Sequence, residues 1–368
     1  MATTTESQTG YTQIELATAY GPAFRQVSTA EPRNATLEEI PIIDISGIYG
    51  TLEDRKNLAA NVKNAAELHG FFYVKNHGIN GGIINAALEQ TRIFFAQSLD
   101  KKDMASKEKS AFYNGYSRPK SSQISRTESR DTKEAFMFRY DPQYDPETKD
   151  LNNIPPAVQS KLMNESFFWE ETKHLPGFQD AYINYWQACL TLSRRLIRIF
   201  ALALDLPETY FDSIVTYPGA DAVMNFYPAM HPADIPGCTD VGIGSHTDMQ
   251  CFTLLWQDMV GGLQILNSKN EWIKATPIQD TMVVNIGDFL MRLSNNRFKS
   301  TVHRVYNHCT VDRISMPFFF GFNYNEECSV VPTCTDENNL PKYEPISCGE
   351  WCALRFKPRI EKSFNLAT

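Results

Sequence analysis

The sequence predicts a mainly β fold with surrounding helices, a sandwich or jelly roll braced by helices. Three observations carry this reading. After Pro207 the chain breaks into short β-rich runs separated by Gly, Asn and Asp clusters, the pattern of a sandwich or barrel rather than of alternating β and α units. Ahead of them lies one long stretch of helical period, 177–206, with apolar residues recurring at three and four. No obvious hinge separates the two halves, so they read as one integrated domain.

In chain order, residues 1–37 are rich in Thr, Ser, Gln and Ala and are expected to form a partly loose arm. Residues 38–205 read as an α/β module with a central helix packing on the barrel. EIPIIDIS, 39–46, has β-branched residues behind Pro41 and reads as a strand. RKNLAANVKNAAELHG suits a helix closed by Gly70, and FFYVKNHG, 71–78, a second strand ending in a glycine turn. INAALEQTRIFFAQSL, 84–99, is again helical in period. The polar stretch 101–165 reads as irregular, lid-like segments. In the long helix, Arg194, Arg195 and Arg198 are expected together on one exposed side. Residues 206–368 are then expected to form the sandwich or jelly-roll core, through AVMNFY, GIGSHTD, CFTLLW, GLQIL, EWIKA, TMVVNIG, TVHRVY and RISMPFFFGF. GEWCALRFKPRI, near the end, reads as a short helix.

A net charge of −8 argues against a broad nucleic-acid or anionic-membrane surface. The polar N-terminus has no signal-like apolar run, and no stretch has transmembrane length. The eight cysteines contain no C-x-x-C pair and read as reduced, mostly buried thiols. A cytoplasmic protein acting on a small molecule is expected, with no nucleic acid, membrane or protein partner evident.

GIGSHTDMQCFTLLWQD, 242–258, sets His246 and Asp248 two apart at the front of an apolar strand, hence on one face. A carboxylate taken out of water is costly unless a cation or hydrogen bonds compensate it. His69, His77, His174 and His231 fall at a helix end, a turn and loops, while His303 lies inside STVHRVYN. His308, five positions on, has the wrong parity for the same face. His303 is therefore the best third ligand. Two imidazoles and one carboxylate leave positions open on Fe(II) for oxygen and a co-substrate. Zinc accepts the same donors, and a core histidine beside a turn aspartate is the bland alternative.

Arg313 and Ser315 are again two apart, on the strand RISMPFFFGF. A guanidinium fork beside a hydroxyl makes a clamp for a carboxylate, although an arginine paired with a structural carboxylate would read the same way. Asn225 and Tyr227 in MNFYP share parity and could orient the same small acid, or satisfy backbone groups.

The ordered run NFYP, SHTDMQCFTLLWQDMVGGLQI, EWIKATPI, VVNIGDFLMRLSNNRFKSTVHRV and DRISMPFFF resembles the Fe(II)/2-oxoglutarate-dependent dioxygenase superfamily. More narrowly, it resembles its isopenicillin N synthase-like branch. IPIIDIS and HGFFYVKNHGI resemble that branch's N-terminal module, and ETKHLPGFQDAYINYW with ALALDLPETYF its central helix, so the likeness runs roughly from 39 to 356. The resemblance implies a double-stranded β-helix (jelly-roll) core. It implies Fe(II), 2-oxoglutarate as co-substrate and O₂, with ascorbate as a candidate reductant. His246, Asp248 and His303 match the iron ligands, Arg313 and Ser315 the motif holding the C5 carboxylate, and Asn225 and Tyr227 further co-substrate contacts.

The reaction implied is oxidative decarboxylation of 2-oxoglutarate to succinate and CO₂, coupled to hydroxylation, desaturation or ring rearrangement of a small specialised metabolite. Two other readings stay open. Isopenicillin N synthase draws its electrons from its own substrate, and the aminocyclopropane carboxylate oxidase keeps an R-x-S without using 2-oxoglutarate, so a 2-oxoglutarate-independent oxidase is one. A non-catalytic metal or small-acid binding protein is the other. By strand parity Phe319 is expected to line the substrate pocket, unless it is jelly-roll core. YSRPKSSQISRTESR, 116–130, reads either as a lid over the mouth or as a solvated loop.

Overall fold

Two β-sheets face each other across a cavity, and their strands come from both halves of the chain. The computed structural model describes residues 10–148 and 150–355. Residues 11–28, expected within a loose arm, instead form a hairpin of β1 (Tyr11–Thr18) and β2 (Gly21–Ser28). Its polar composition hides two buried anchors, Ile14 and Val27, which pack with Leu266, Trp272 and Val302. Residues 1–9 of the expected arm lie outside the described residues.

After β3 (Arg33–Asn34) come β4 (Ile42–Asp44), α1 (Leu52–Leu68), β5 (Phe71–Lys75) and α2 (Gly81–Phe95). A reciprocal capping box between Thr51 and Asp54 starts α1. Gly70 ends the turn beyond it with φ +70°, where a Cβ would collide with the Lys299 carbonyl.

The stretch 101–165 is largely irregular but holds two strands the sequence reading lacked, β6 (Gly115–Ser117) and β7 (Glu134–Phe138). EAFMF is too short to show a period, and what makes it a strand is pairing with β8 (Pro218–Tyr227). Between them runs α3 (Phe178–Ala203). β9 (Ile243–His246), β10 (Phe252–Gln257), β11 (Leu263–Leu266), β12 (Trp272–Lys274), β13 (Thr281–Ile286), β14 (His303–Val305) and β15 (Arg313–Asn323) follow at the expected runs, β10 and β15 each extending one residue beyond. Residues 348–355 are helical; the rest of the expected terminal helix lies outside the described residues.

The larger sheet has the order β4-β5-β13-β10-β15-β8-β7-β6 and the smaller β3-β12-β11-β14-β9. Phe71, Tyr73 and Tyr227 of the first pack with Leu263, Ile265 and Val305 of the second, closing one end of the jelly roll. The helices cover the outer face of the larger sheet. Tyr182 of α3 donates to the carbonyls of Phe136 (2.8 Å) and Ala222 (2.9 Å), Tyr185 to Met316 (2.7 Å) and Trp186 to Ala220 (2.9 Å). These polar tips lock an otherwise apolar helix face under β7, β8 and β15, the strands that carry much of the site.

The three arginines of α3 do not share an exposed side. Arg195 lies over the Tyr49 ring and Arg198 pairs with Asp212, but Arg194 is buried and bidentate to Asp145, at 2.7 and 2.6 Å. Positions i, i+1 and i+4 span more than one helix face, and Arg194 turns towards the 141–148 loop. Arg194→Ala leaves the Asp145 carboxylate buried without its cation, so a stability loss of about 3–5 kcal/mol is expected in urea unfolding. A change below about 1 kcal/mol, the level of an exposed pair, would place this pair among the surface contacts.

Candidate functional site

β9 and β14 pair antiparallel, and His303 stands directly opposite His246. Their rings lie 4.3 Å apart between centroids. Asp248 sits beyond the end of β9 rather than on it, so the alternation expected for SHTD does not extend that far. The turn nevertheless brings its Oδ1 to 3.7 Å from His246 Nε2 and 3.8 Å from His303 Nε2. Among the described residues, this is the group of His, Cys, Asp and Glu side chains whose donor atoms converge closely enough to hold an ion. His69, His77, His174, His231 and His308 are not part of it.

Hydrogen bonds to the outer atoms of these side chains orient the converging donor atoms. His246 Nδ1 lies 2.8 Å from the Gly244 carbonyl and His303 Nδ1 3.1 Å from that of Thr301, in each case two residues back. Nδ1–H therefore donates, and Nε2 is left as the lone-pair donor. Asp248 Oδ2 accepts from Thr253 (2.5 Å) and Asn285 (2.7 Å), cross-strand neighbours on β10 and β13. Burial alone would raise the Asp248 carboxyl. The rings of His303 and His246 when protonated, with the Asn285 and Thr253 hydrogen bonds, outweigh it and lower the group.

Sequence reasoning missed Thr253 and Asn285. Thr253 has cavity-facing parity on β10, but only the strand register reveals that both reach one carboxylate oxygen. Asn285→Ala should lower Fe(II) affinity about 10–100-fold with the fold retained, measured by equilibrium metal binding. Wild-type affinity would reduce Asn285 to packing.

At the cavity's other end, Arg313 pairs across strands with Tyr227, and Ser315 with Asn225. Arg313 is 1% exposed. Its Nη2 donates to Gln257 Oε1 at 3.1 Å and its guanidinium lies 4.7 Å from the Tyr227 ring centre. Nε and Nη1 have no hydrogen-bond partner. Two buried, charged N–H donors without an acceptor mark the place for an anion. Burial raises the Tyr227 phenol, keeping it a neutral O–H donor. Lys133, which carried no signal in the sequence, donates to Asn225 Oδ1 at 2.6 Å. Gln257, also missed, could have been found by its alternation with Thr253 and Leu255.

These groups line one cavity of about 1170 Å³, ample for a small acid together with a second small molecule. Phe319 lines it, whereas Phe318 and Phe320 are buried in the core on the opposite face of β15. Segment 116–130 lies across the mouth with the β1–β2 hairpin. Ser125 Oγ donates to the Glu15 carbonyl (2.9 Å), Glu15 N–H donates to Thr127 Oγ1 (3.0 Å), and Ser245 Oγ donates to Glu128 (3.0 Å). Hydrogen bonds thus tie the segment to the hairpin and to β9, while residues 118–123, 126, 127 and 130 stay exposed. Arg355 joins the other flank, donating to the carbonyls of Ala17 and Thr247 and pairing with Asp288.

Residues 219–322 match the model of the 2OG-Fe(II) oxygenase superfamily, and residues 40–157 match that described as non-haem dioxygenase in morphine synthesis N-terminal. The chain is 43% identical over 350 residues, 94% of each chain, to a 2-oxoglutarate-Fe(II) type oxidoreductase, ppzC, of Metarhizium rileyi. Among solved structures it is similar to a full-length Neurospora crassa protein in complex with alpha-KG and thymine, with TM-score 0.70 and 27% identity over 86% of this chain and 96% of that one. It is also similar to JOX2 in complex with 2OG, Fe and JA, with TM-score 0.68 and 26% identity over 89% and 87%.

Proposed function

The chain belongs to the 2OG-Fe(II) oxygenase superfamily, and from that premise we propose that His246, Asp248 and His303 hold its Fe(II) while Arg313 and Ser315 hold the far carboxylate of 2-oxoglutarate. The enzyme is a non-haem Fe(II)/2-oxoglutarate-dependent dioxygenase. When bound, iron and 2-oxoglutarate supply oxidative decarboxylation coupled to oxidation of a substrate C–H bond.

The donor set fits this pair. Two Nε2 lone pairs and one carboxylate oxygen face a common point, and their other atoms are already engaged. The single observation that carries the clamp assignment is the unpartnered Nε and Nη1 of buried Arg313. Tyr227 adds a neutral phenol beside the guanidinium, and Lys133 orients Asn225. Gln257 takes one N–H of Nη2, which leaves the second Nη2 N–H beside Nη1 as a two-donor edge for a carboxylate. The apolar walls, Leu255, Leu263, Val305 and Phe319 among them, exclude water from the reacting centre.

We place the substrate among small-molecule specialised metabolites, with hydroxylation, desaturation or ring rearrangement as its outcome and Phe319 as a wall of its pocket. The cavity's size and the small ligands named for the solved relatives support this. The acidic balance favours a small molecule over a nucleic acid, and no described helix is long and apolar enough to cross a membrane. Buried thiols support a reducing, cytoplasmic setting.

Oxygen uptake and succinate formation test the reading together. Substrate-stimulated uptake that requires 2-oxoglutarate, with equimolar succinate, is expected. Uptake driven by substrate alone, without succinate, would assign the oxidase alternative instead.

A further inference from the structure

The strand register that builds the clamp also defines a second polar point in the same cavity. Along β8 the cavity-facing residues are Tyr227, Asn225, Val223 and Asp221. Asp221 stands opposite Phe319, and Phe319 opposite Thr253, whose hydroxyl holds Asp248. At about 3.3 Å per residue, Asp221 lies roughly 20 Å of strand from Tyr227. It is only two strand spacings, about 10 Å, from Thr253. Asp221 therefore lines the cavity on the row of Phe319 and Thr253, away from the Arg313 end of β8.

Asp221 is 5% exposed. Its Oδ2 accepts from Arg139 Nη1 (2.9 Å) and Gln250 Nε2 (3.3 Å), the Tyr140 backbone N–H lies beside the carboxylate, and Oδ1 makes no side-chain hydrogen bond. Arg139 is itself fixed, its Nε donating to the Phe112 carbonyl at 2.8 Å, and Gln250 also donates to the Tyr324 hydroxyl at 3.2 Å. The carboxylate is thus held by Arg139 and Gln250 with Tyr324 nearby, and it lines a cavity whose wall also includes Val223, Met137 and Phe319. A buried acceptor in that condition is costly in the empty protein and selective when filled.

The charge of the pair decides which donor suits it. Arg139 already neutralises Asp221, so an ammonium group brought to Oδ1 would be desolvated beside a guanidinium, with only a shared anion in return. A neutral donor meets no such penalty. We infer that Asp221, held by Arg139 and Gln250, recognises the substrate of this cavity by accepting a hydrogen bond from a neutral N–H or O–H group, such as a lactam or heteroaromatic ring N–H, on an otherwise apolar small molecule. The inference rests on the oxygenase reading and deepens it.

The test uses the Fe(II)-loaded, full-length protein with 2-oxoglutarate under anaerobic conditions, titrated calorimetrically with three bicyclic probes: 2-quinolone, N-methyl-2-quinolone and tetrahydroisoquinolinium. One charge-assisted hydrogen bond is worth roughly a tenfold to hundredfold in affinity. 2-Quinolone is therefore expected to bind tighter than its N-methyl partner by about that factor, and tighter than the cation. In Asp221→Asn the amide keeps the shape and can turn its oxygen to Arg139, presenting N–H to the cavity. The ratio should then collapse towards one, while stabilisation of the protein by 2-oxoglutarate persists. Equal or tighter binding of N-methyl-2-quinolone or of the cation by the wild-type protein overturns the inference, whether or not the variant folds. An unchanged ratio in a folded Asp221→Asn does so too. Failure of 2-oxoglutarate to stabilise the wild-type protein is a separate signature: it overturns the oxygenase reading, and the inference with it.

Discussion

Asp248→Ala is expected to reduce Fe(II)-dependent turnover to background while the protein still folds. Oδ1 is the one anionic donor in the triad, and Oδ2 is the common acceptor for Thr253 and Asn285. Truncation leaves two neutral imidazoles, too weak a set to retain Fe(II) against competition for the metal, and abolishes the facial arrangement. On stability the effects oppose each other. Two donors lose their acceptor, at a cost of about 1–3 kcal/mol each, but a buried carboxylate is removed that repays its desolvation only with hydrogen bonds and a cation. Circular dichroism and thermal melting should therefore show a folded protein, and metal analysis a strong loss of bound iron. Near-normal turnover in this variant would place the metal elsewhere.

Arg313→Leu is expected to raise the concentration of 2-oxoglutarate needed for half-maximal activity about a hundredfold or more, with iron binding nearly unchanged. Nη1 has no protein acceptor and Nη2 gives only one N–H to Gln257, so a carboxylate can take two charge-assisted hydrogen bonds there, each worth roughly 1.5–3 kcal/mol. Two such bonds reach that factor even at the low end of the range. Leucine fills part of the vacated space, so the loss should report the clamp more than a cavity. An unchanged requirement for 2-oxoglutarate, with wild-type iron content, would move the clamp to another cation of the cavity, such as Lys133 beside Asn225.

Why some of this was legible in the sequence and some was not follows from how each feature is encoded. His246 and His303 stand out because imidazoles on β-rich runs are rare, and their strands pair with the two residues face to face. Arg313, Ser315, Asn225 and Tyr227 are legible because a strand's two-residue period carries straight into the cross-strand register Arg313 to Tyr227 and Ser315 to Asn225. Parity succeeded for Asp248 through the turn rather than the strand. The partners of the two histidines are backbone carbonyls of Gly244 and Thr301, which leave no trace in residue type.

Thr253 and Asn285 are ordinary strand residues until the β10–β13 register sets them around one oxygen. Arg194 was misplaced because helical period alone does not reveal the loop that brings Asp145 over it. The β1–β2 hairpin was missed for a similar reason: a polar ribbon is held by two apolar anchors and by contacts with the 116–130 segment, none of them local. Local pattern thus encoded the barrel and its metal row, while long-range partners supplied the cover and the support.

An anaerobic optical titration of the Fe(II)-loaded protein with 2-oxoglutarate decides whether this cavity brings the metal and the co-substrate together. A saturable visible charge-transfer band is expected, that of a 2-oxo acid chelated to iron, weakened in Arg313→Leu and absent in Asp248→Ala. Wild-type protein with iron demonstrably bound and no such band would refute the pairing, and would turn attention to substrates that reduce oxygen themselves.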